Sequence, residues 1–243
     1  MAHSRETRAR ASEIKFLIEP AMAADIRTWA RANLIPDPHG SGPFGDEYDT
    51  ASIYFDTRDF DVLRRNGSYG RAKYRIRCYS QSDVVFLERK LRRPRIVAKR
   101  RTQMTVADLD RLDDGAGADW AGTWFLRRLE ARNLKPACQI SYHRIARGVL
   151  DDGGPARLTL DESIRAHAVT GIHFANDAGT PIAETRLVLE LKYRDALPAV
   201  FKRLVAEFQL EIQPASKYRF GMAALGHEVP AVTAVAEESG INA

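Results

Sequence analysis

The sequence predicts an α+β fold: an antiparallel sheet charged on one face and apolar on the other, with helices on the apolar side. Several separate segments alternate charged and apolar residues with a period of two, the pattern of a strand whose faces meet different surroundings. Longer segments carry apolar residues at helical spacing. The strand-like runs also lack the continuous Val/Ile/Leu stretches of parallel strands buried on both faces, which argues against a doubly wound α/β sheet.

Taken in order, the first run sets Glu13, Lys15 and Leu17 against Ile14, Phe16 and Ile18. A helix follows over 21–34, with Ile26, Trp29, Ala30 and Leu34 on one side. The Pro- and Gly-dense stretch 36–45 reads as an exposed loop. Strands then place Ser52, Tyr54 and Asp56 against Ile53 and Phe55, and Lys73, Arg75, Arg77 and Tyr79 against Tyr74, Ile76 and Cys78. Phe86, Glu88 and Lys90 alternate with Leu87, Arg89 and Leu91. Thr105 caps a short helix, and a longer one covers 119–133 with Trp120, Trp124, Phe125 and Leu129 as core. The run DDGGP at 151–155 is a hairpin turn, followed by Arg157, Thr159 and Asp161 alternating with Leu158 and Leu160. Val188, Glu190 and Lys192 oppose Leu187, Leu189, Leu191 and Tyr193. Pro198 opens a helix reaching Leu210, and a last helix covers Ser216 to about Leu225. Residues 1–11 and 227–243 read as frayed or flexible ends, leaving 12–226 as one domain.

Composition narrows the function classes. The 243 residues carry 37 Lys+Arg against 32 Asp+Glu, and at 44% hydrophobic and 28% charged the chain suits a globular core, not a disordered tail. No apolar stretch approaches the ~18 residues of a membrane span and the N-terminus lacks a signal-peptide core, so a cytoplasmic protein without direct membrane insertion is expected. Cys78 and Cys138 form no CxxC and the histidines no HxxxH, which argues against zinc and a redox dithiol. Between Arg71 and Arg101, twelve Lys and Arg residues face only Asp83 and Glu88, so a polyanionic partner is expected; a solvated basic face is the plain alternative. Nucleic acid fits poorly, because most aromatics fall on apolar faces and not in a basic groove.

Glu-x-Lys occurs on three strands, at Glu13–Lys15, Glu88–Lys90 and Glu190–Lys192, and Arg75-Ile76-Arg77 puts two guanidiniums on one face with Lys73 in line. On an open sheet these charges meet water. In a closed barrel they converge on a lumen, where like charges repel until a phosphate chain offsets them. Bidentate arginine suits phosphate, and the carboxylates can hold a divalent metal against it.

Glu13-Ile14-Lys15-Phe16, Ser52 to Thr57, Arg75-Ile76-Arg77, Phe86 to Lys90, Arg157 to Asp161, Leu189 to Tyr193 and Ser216-Lys217-Tyr218 together resemble the VTC domain. This is the polyphosphate polymerase module of the vacuolar transporter chaperone complex, grouped with CYTH proteins among the triphosphate tunnel metalloenzymes. The resemblance implies a closed eight-stranded antiparallel β-barrel tunnel flanked by helices. It implies ATP as phosphate donor, Mn²⁺ or Mg²⁺ as cofactor, and a membrane protein partner for any translocation. Lys15, Arg75, Arg77, Lys90, Arg144 and Arg157 match its phosphate-binding positions, with Lys99 a looser match. Tyr142 falls in its Tyr-x-Arg arrangement, Ser216 and Lys217 in its Ser-Lys pair, and Glu190 at its metal carboxylate. Lys73 and Lys192 lie in line as further substrate contacts, and Glu13, Glu88 and Asp161 as further metal ligands. Glu13 and Glu88 read equally as partners of neighbouring lysines, and Asp161 as a residue behind the ligands. Ala11 stands where hydrolytic relatives carry a first glutamate, which favours the polymerase branch over an inorganic triphosphatase, polyphosphatase or nucleoside triphosphatase; a non-catalytic polyphosphate- or inositol-phosphate-binding module is the further alternative.

Overall fold

The alternating segments all enter one antiparallel sheet. The computed structural model describes residues 4–9, 12–80, 82–93, 96–114, 119–151, 153–182 and 186–231. Along the chain these form β1 (Ser4–Ala9), β2 (Ser12–Ile18), α1 (Pro20–Asn33), β3 (Ile35–Pro36), β4 (Glu47–Asp56), α2 (Asp61–Arg64), β5 (Ala72–Tyr79), β6 (Val84–Arg93) and β7 (Ile96–Thr105). They continue with α3 (Arg111–Asp114), α4 (Thr123–Glu130), β8 (Lys135–Asp151), β9 (Gly154–His167), β10 (Thr180–Pro181), β11 (Leu187–Tyr193), α5 (Ala199–Glu207) and α6 (Lys217–Ala224). The ladder runs β1-β7-β6-β5-β4-β8-β9-β11-β2, with β3 added to β8 and β10 to β9.

The ladder holds nine strands, one more than the eight expected because β1 joins it, and its hydrogen bonding does not close: its two ends are β1 and β2. Those ends are successive strands of the chain, with only residues 10 and 11 between them. Three peptide steps of about 3.8 Å each carry Ala9 to Ser12, so the sheet must curl until its far edges meet. The free edge of β2 takes a further bond from the C-terminal segment, where Gln213 N–H donates to the Lys15 carbonyl at 2.9 Å. Lys90 Nζ on β6 reaches Glu13 Oε2 on β2 at 3.3 Å, from the opposite end of the ladder.

Curling sends the two faces to different fates. Cross-strand partners share a face, and Lys15, Glu190 and Thr159 stand opposite one another, as do Glu88, Arg75 and Tyr54, and Phe86, Arg77 and Ser52. These line the inside. The outside carries Phe16, Leu160, Leu189 and Leu191 beneath Ile26 and Ala30 of α1 and Phe201 and Leu204 of α5. A second outer core joins Ile53, Ile76 and Leu87 to Leu63 of α2 and Phe125 and Leu129 of α4. Each fully buried Leu, Ile or Phe contributes roughly 1.5–3 kcal/mol, so the helices hold the barrel from without.

One end of the bore is filled. Ile140 lies opposite Ser52 and Ala166 on the inner face, and α6 packs there so tightly that a Cβ on Gly221 would overlap Ile140 Cδ1. The register of β8 against β9 shifts between Ser141 and His143, and Ser163 nearby takes a left-handed φ of 50°. That extra residue lets Asp161 and Ile164, three apart, both turn inward. On the outer face Ser141 Oγ, His167 and Asp177 form a line of 2.8 Å contacts that staples the 168–179 loop to the sheet.

Two expectations need correction. Residues 4–9 are not frayed: they pair with β7 from Ser4↔Thr102 to Ala9↔Val97, since an edge strand needs only backbone donors and acceptors and not an apolar face. The barrel is closed by chain continuity and inner contacts, not by a continuous ladder. Thr105 does cap its turn, with Asp108 answering in a capping box over Val106–Asp110. The helices over 119–133 and 198–210 are shorter than expected, at Thr123–Glu130 and Ala199–Glu207. Of the C-terminal tail, residues 232–243 lie outside the described residues, as do Ala11 and Arg95.

Candidate functional site

The inner face gathers charge in neighbouring groups along the ladder. In one, the Arg144 guanidinium of β8 grips Asp161 of β9 with both edges, Nε–Oδ1 at 2.5 Å and Nη2–Oδ2 at 2.7 Å. Lys217, the first residue of α6, adds Nζ–Oδ2 at 2.5 Å, and both cations lie 5.1 Å from the Tyr142 ring. Asp161 is fully buried. Burial pushes its carboxyl up, but the Arg144 and Lys217 charges prevail and bring it down to about 2.

On the next two strands, β11 and β2, Lys15 of β2 sits between two carboxylates, 2.8 Å from Glu13 Oε1 and 3.4 Å from Glu190 Oε2. Lys192 closes on the other oxygen of Glu190, and Lys90 on the other oxygen of Glu13. Burial and the Glu190 charge raise the Glu13 carboxyl, yet Lys15, Lys90 and Lys192 outweigh them and bring it to about 2. Burial likewise opposes ionisation of Glu190, and Lys192, Lys15 and Lys217 hold it well below the usual carboxylate range.

From the other half of the ladder, β5 presents Lys73, Arg75 and Arg77. Arg75 donates to Glu88 at 2.7 Å and to the Tyr54 hydroxyl at 3.3 Å; Arg101 shares Glu88 at 3.3 Å. Burial works against the Glu88 charge, but Arg75, Arg77 and Arg101 bring its carboxyl to about 2. Arg77 is buried; it donates to the Ser52 hydroxyl at 3.0 Å and lies 5.8 Å from the Tyr79 ring, with the Tyr79 hydroxyl as a second partner. Lys73 has only Ser216 Oγ, at 3.2 Å. Burial, then the charges of Lys15, Lys90, Arg65 and Arg75, bring the Lys73 amine down to about 7. Thr50 Oγ1 and Thr159 Oγ1 are buried on the same face and have no hydrogen-bond partner among the described residues.

The structure thus brings Lys15, Lys73, Arg75, Arg77, Lys90, Arg144, Lys192, Ser216 and Lys217 around one bore with Tyr142. Arg157 lies at its mouth, held by Asp37 at 2.9 Å and by the Tyr48 hydroxyl. Lys99 stands opposite Lys90 and is exposed. The four candidate metal carboxylates do not converge. Glu13 and Glu190 meet across Lys15, whereas Glu88 and Asp161 are each committed to arginine elsewhere. Among the described residues no three His, Cys, Asp or Glu side chains cluster to hold a metal. Mg²⁺ and Mn²⁺ accept one or two carboxylates with phosphates and water completing the shell, and the hard oxygens of Glu13 and Glu190 fit that demand. Sequence reasoning passed over Ser52, Tyr54, Thr50, Tyr48 and Asp37 as parts of the site; the first two carry the inner-face parity of Asp56 and needed only that parity to be noticed.

Comparison with known proteins agrees with this geometry. A protein from Bacillus halodurans described as adenylate cyclase-like superposes with a TM-score of 0.52 at 15% identity, over 86% of this chain and 95% of that one. That similarity shows the fold. An adenylyl cyclase-like protein from Hippeastrum, described as having a dominant triphosphatase activity, gives 0.46 at 13% identity, over 90% and 97%. A Pyrococcus horikoshii protein gives 0.47 at 11%, over 88% and 98%. No curated protein matches the sequence. The family model described as the VTC domain matches residues 10–226, nearly all of the chain that builds the bore, and the chain belongs to that family.

Proposed function

We propose that this chain is a metal-dependent polyphosphate polymerase that transfers the γ-phosphate of ATP to a growing polyphosphate chain inside the bore. One observation carries the reading: cations surplus to the carboxylates line an enclosed space, and Arg77 and Lys73 face it with hydroxyls as their only hydrogen-bond partners among the described residues. An enclosed cationic surplus is relieved by a polyanion. Phosphoryl transfer needs alignment and charge cancellation more than covalent help. Arg75, Arg77, Arg144 and Lys217 are set to hold successive phosphates, and Ser216 to donate to a terminal oxygen.

Transfer to phosphate is favoured over hydrolysis by the state of the carboxylates. Glu13, Glu88 and Asp161 have pKa values of about 2, which makes them weak bases for taking a proton from water near neutral pH. A phosphate acceptor is already ionised: its terminal oxygen attacks the γ-phosphorus, the bond to the β–γ bridging oxygen breaks, and ADP leaves with that electron pair. Glu190 and Glu13 would hold Mn²⁺ or Mg²⁺, which supplies charge neutralisation across neighbouring phosphates when bound. The test is incubation of the full chain with ATP and Mn²⁺, followed by sizing of the phosphate product. Chains that lengthen with equimolar ADP support the polymerase. Orthophosphate without chains points to a hydrolase, and binding without turnover in any metal points to a binding module.

A further inference from the structure

Outside the bore, the sheet carries a line of side chains that the polyphosphate reading does not use. Ser141 of β8 and His167 of β9 lie on the outer face, with the Ser141 hydroxyl 2.8 Å from His167 Nε2. His167 Nδ1 stands 2.8 Å from Asp177 Oδ1, in the loop that follows β9. An ionised carboxylate only accepts, so the neutral ring carries its proton on Nδ1 and leaves Nε2 to accept from the Ser141 hydroxyl. The bond from His167, then that from the Gly179 N–H at 2.6 Å, hold the Asp177 carboxyl below its ordinary value. His167 is buried and Ser141 is half-buried, so the ring is shielded from water while the serine keeps an exposed side.

Anchoring the loop does not require this line. Gln139 exchanges two bonds with the Ala175 backbone, at 3.0 and 2.7 Å, and Arg165 donates to the Ala178 and Gly179 carbonyls. Gly179 permits the close approach to the ring, since a Cβ there would lie 2.6 Å from His167 Cε1. At this level the ladder runs Ser141, Arg165, Pro181. With Nε and Nη2 tied to carbonyls, the Arg165 guanidinium is a fixed positive charge on the strand beside Ser141. Around Arg165 and Pro181 opens a cleft of about 380 Å³, bordered also by Arg27, Glu162 and Ile182.

We infer that Ser141, His167 and Asp177 form a second site, independent of the bore, that hydrolyses small carboxylic esters by acyl transfer to Ser141. Nucleophile, base and orienting carboxylate each lie within hydrogen-bond reach of the next, the arrangement that makes a serine hydroxyl reactive. As the Ser141 oxygen bonds to the ester carbonyl carbon, its proton passes to His167 Nε2. Arg165 supplies positive charge for the carbonyl oxygen as it becomes an oxyanion. The carbon–oxygen bond to the alcohol then breaks, and the alcohol leaves with the His167 proton. Water repeats the sequence on acyl-Ser141, releasing the carboxylic acid and restoring the hydroxyl. The cleft beside Arg165 takes the acyl group.

The experiment treats the full chain with a fluorophosphonate, which reacts with activated serines, and maps the adduct by peptide mass. Hydrolysis of p-nitrophenyl acetate is followed in parallel, with Tm as a check on folding. A single adduct on Ser141 is expected, and Ser141→Ala should lose both the adduct and the hydrolysis. Asp177 has an exposed side chain, so Asp177→Asn should keep Tm within a few degrees. It should nevertheless slow labelling and hydrolysis at least about 100-fold, because the ring loses its orienting partner. A folded wild type that takes no adduct, or takes it on another residue, overturns the inference. So does Ser141→Ala that hydrolyses the ester as fast as wild type, or Asp177→Asn labelled at the wild-type rate. Each of these outcomes leaves the polyphosphate reading of the bore standing.

Discussion

Two buried carboxylates stand on adjacent strands, Asp161 on β9 and Glu190 on β11, and are held in different ways. Asp161 is clamped by a planar guanidinium with both oxygens occupied and by an ammonium from the helix that fills the end of the bore. Glu190 is held by Lys15 and Lys192, whose side chains are 27% and 30% exposed and flexible. The first arrangement is committed: bidentate geometry and burial leave no oxygen for another ligand. The second is exchangeable, because an ammonium on a four-carbon stem can swing to a phosphate and release its carboxylate to a metal. Neighbouring carboxylates of one face are therefore held in two ways, Asp161 fixed and Glu190 open to exchange.

The largest effect is expected from Asp161→Asn. It strands Arg144 and Lys217 in a dry site and should cost about 3–5 kcal/mol, or roughly 10 °C in Tm for a chain of this size. The same carboxylate gives the contrast a pH signature. Its folded pKa lies below its unfolded value, so its stabilisation is present above about pH 4 and is lost as pH falls toward 2. Denaturant titrations of wild type and variant should converge as the pH is lowered. A variant as stable as wild type at pH 7 would break the comparison.

Glu190→Gln comes next. It should reduce chain synthesis at least about 100-fold while moving Tm by only a few degrees, because its two lysines reach water. A Tm loss equal to that of Asp161→Asn would place both carboxylates in the committed class.

Lys73 sharpens the contrast with a third case, a cation with no carboxylate at all among the described residues. With its amine brought to about 7 by burial and neighbouring charge, it is largely neutral at pH 8 and should take up a proton when a polyanion arrives. Calorimetric heats of tripolyphosphate binding at pH 8 should depend on the buffer's ionisation enthalpy in the wild type and much less in Lys73→Met. The affinity gap between the two proteins should narrow as pH rises from 7 to 9, to within about threefold.

Much of the bore was legible because period-two alternation is the signal of a two-faced strand. Parity alone puts Glu13 with Lys15, Lys73 with Arg75 and Arg77, Glu88 with Lys90, and Glu190 with Lys192, and all of them face inward. The 135–151 strand was harder to see, because Ile140 and Tyr142 face inward against α6 while neighbouring residues pack outside, so both faces are apolar and alternation vanishes. The bulge at Ser163 resets parity in mid-strand, which no periodic count anticipates. The split of carboxylates into clamped and exchangeable depends on which cation reaches which oxygen across the bore. That is a property of curling and is absent from any single strand.

The join at residues 10–11 also dictates when the protein can be born. β2 pairs with β11, and Lys15 Nζ donates to the carbonyl of Ala215, 200 residues downstream. A nascent chain leaving the ribosome exposes β2 long before β11 has been translated, and distant pairings of this kind are slow to form. β2 must wait without that partner until residues 187–193 have emerged.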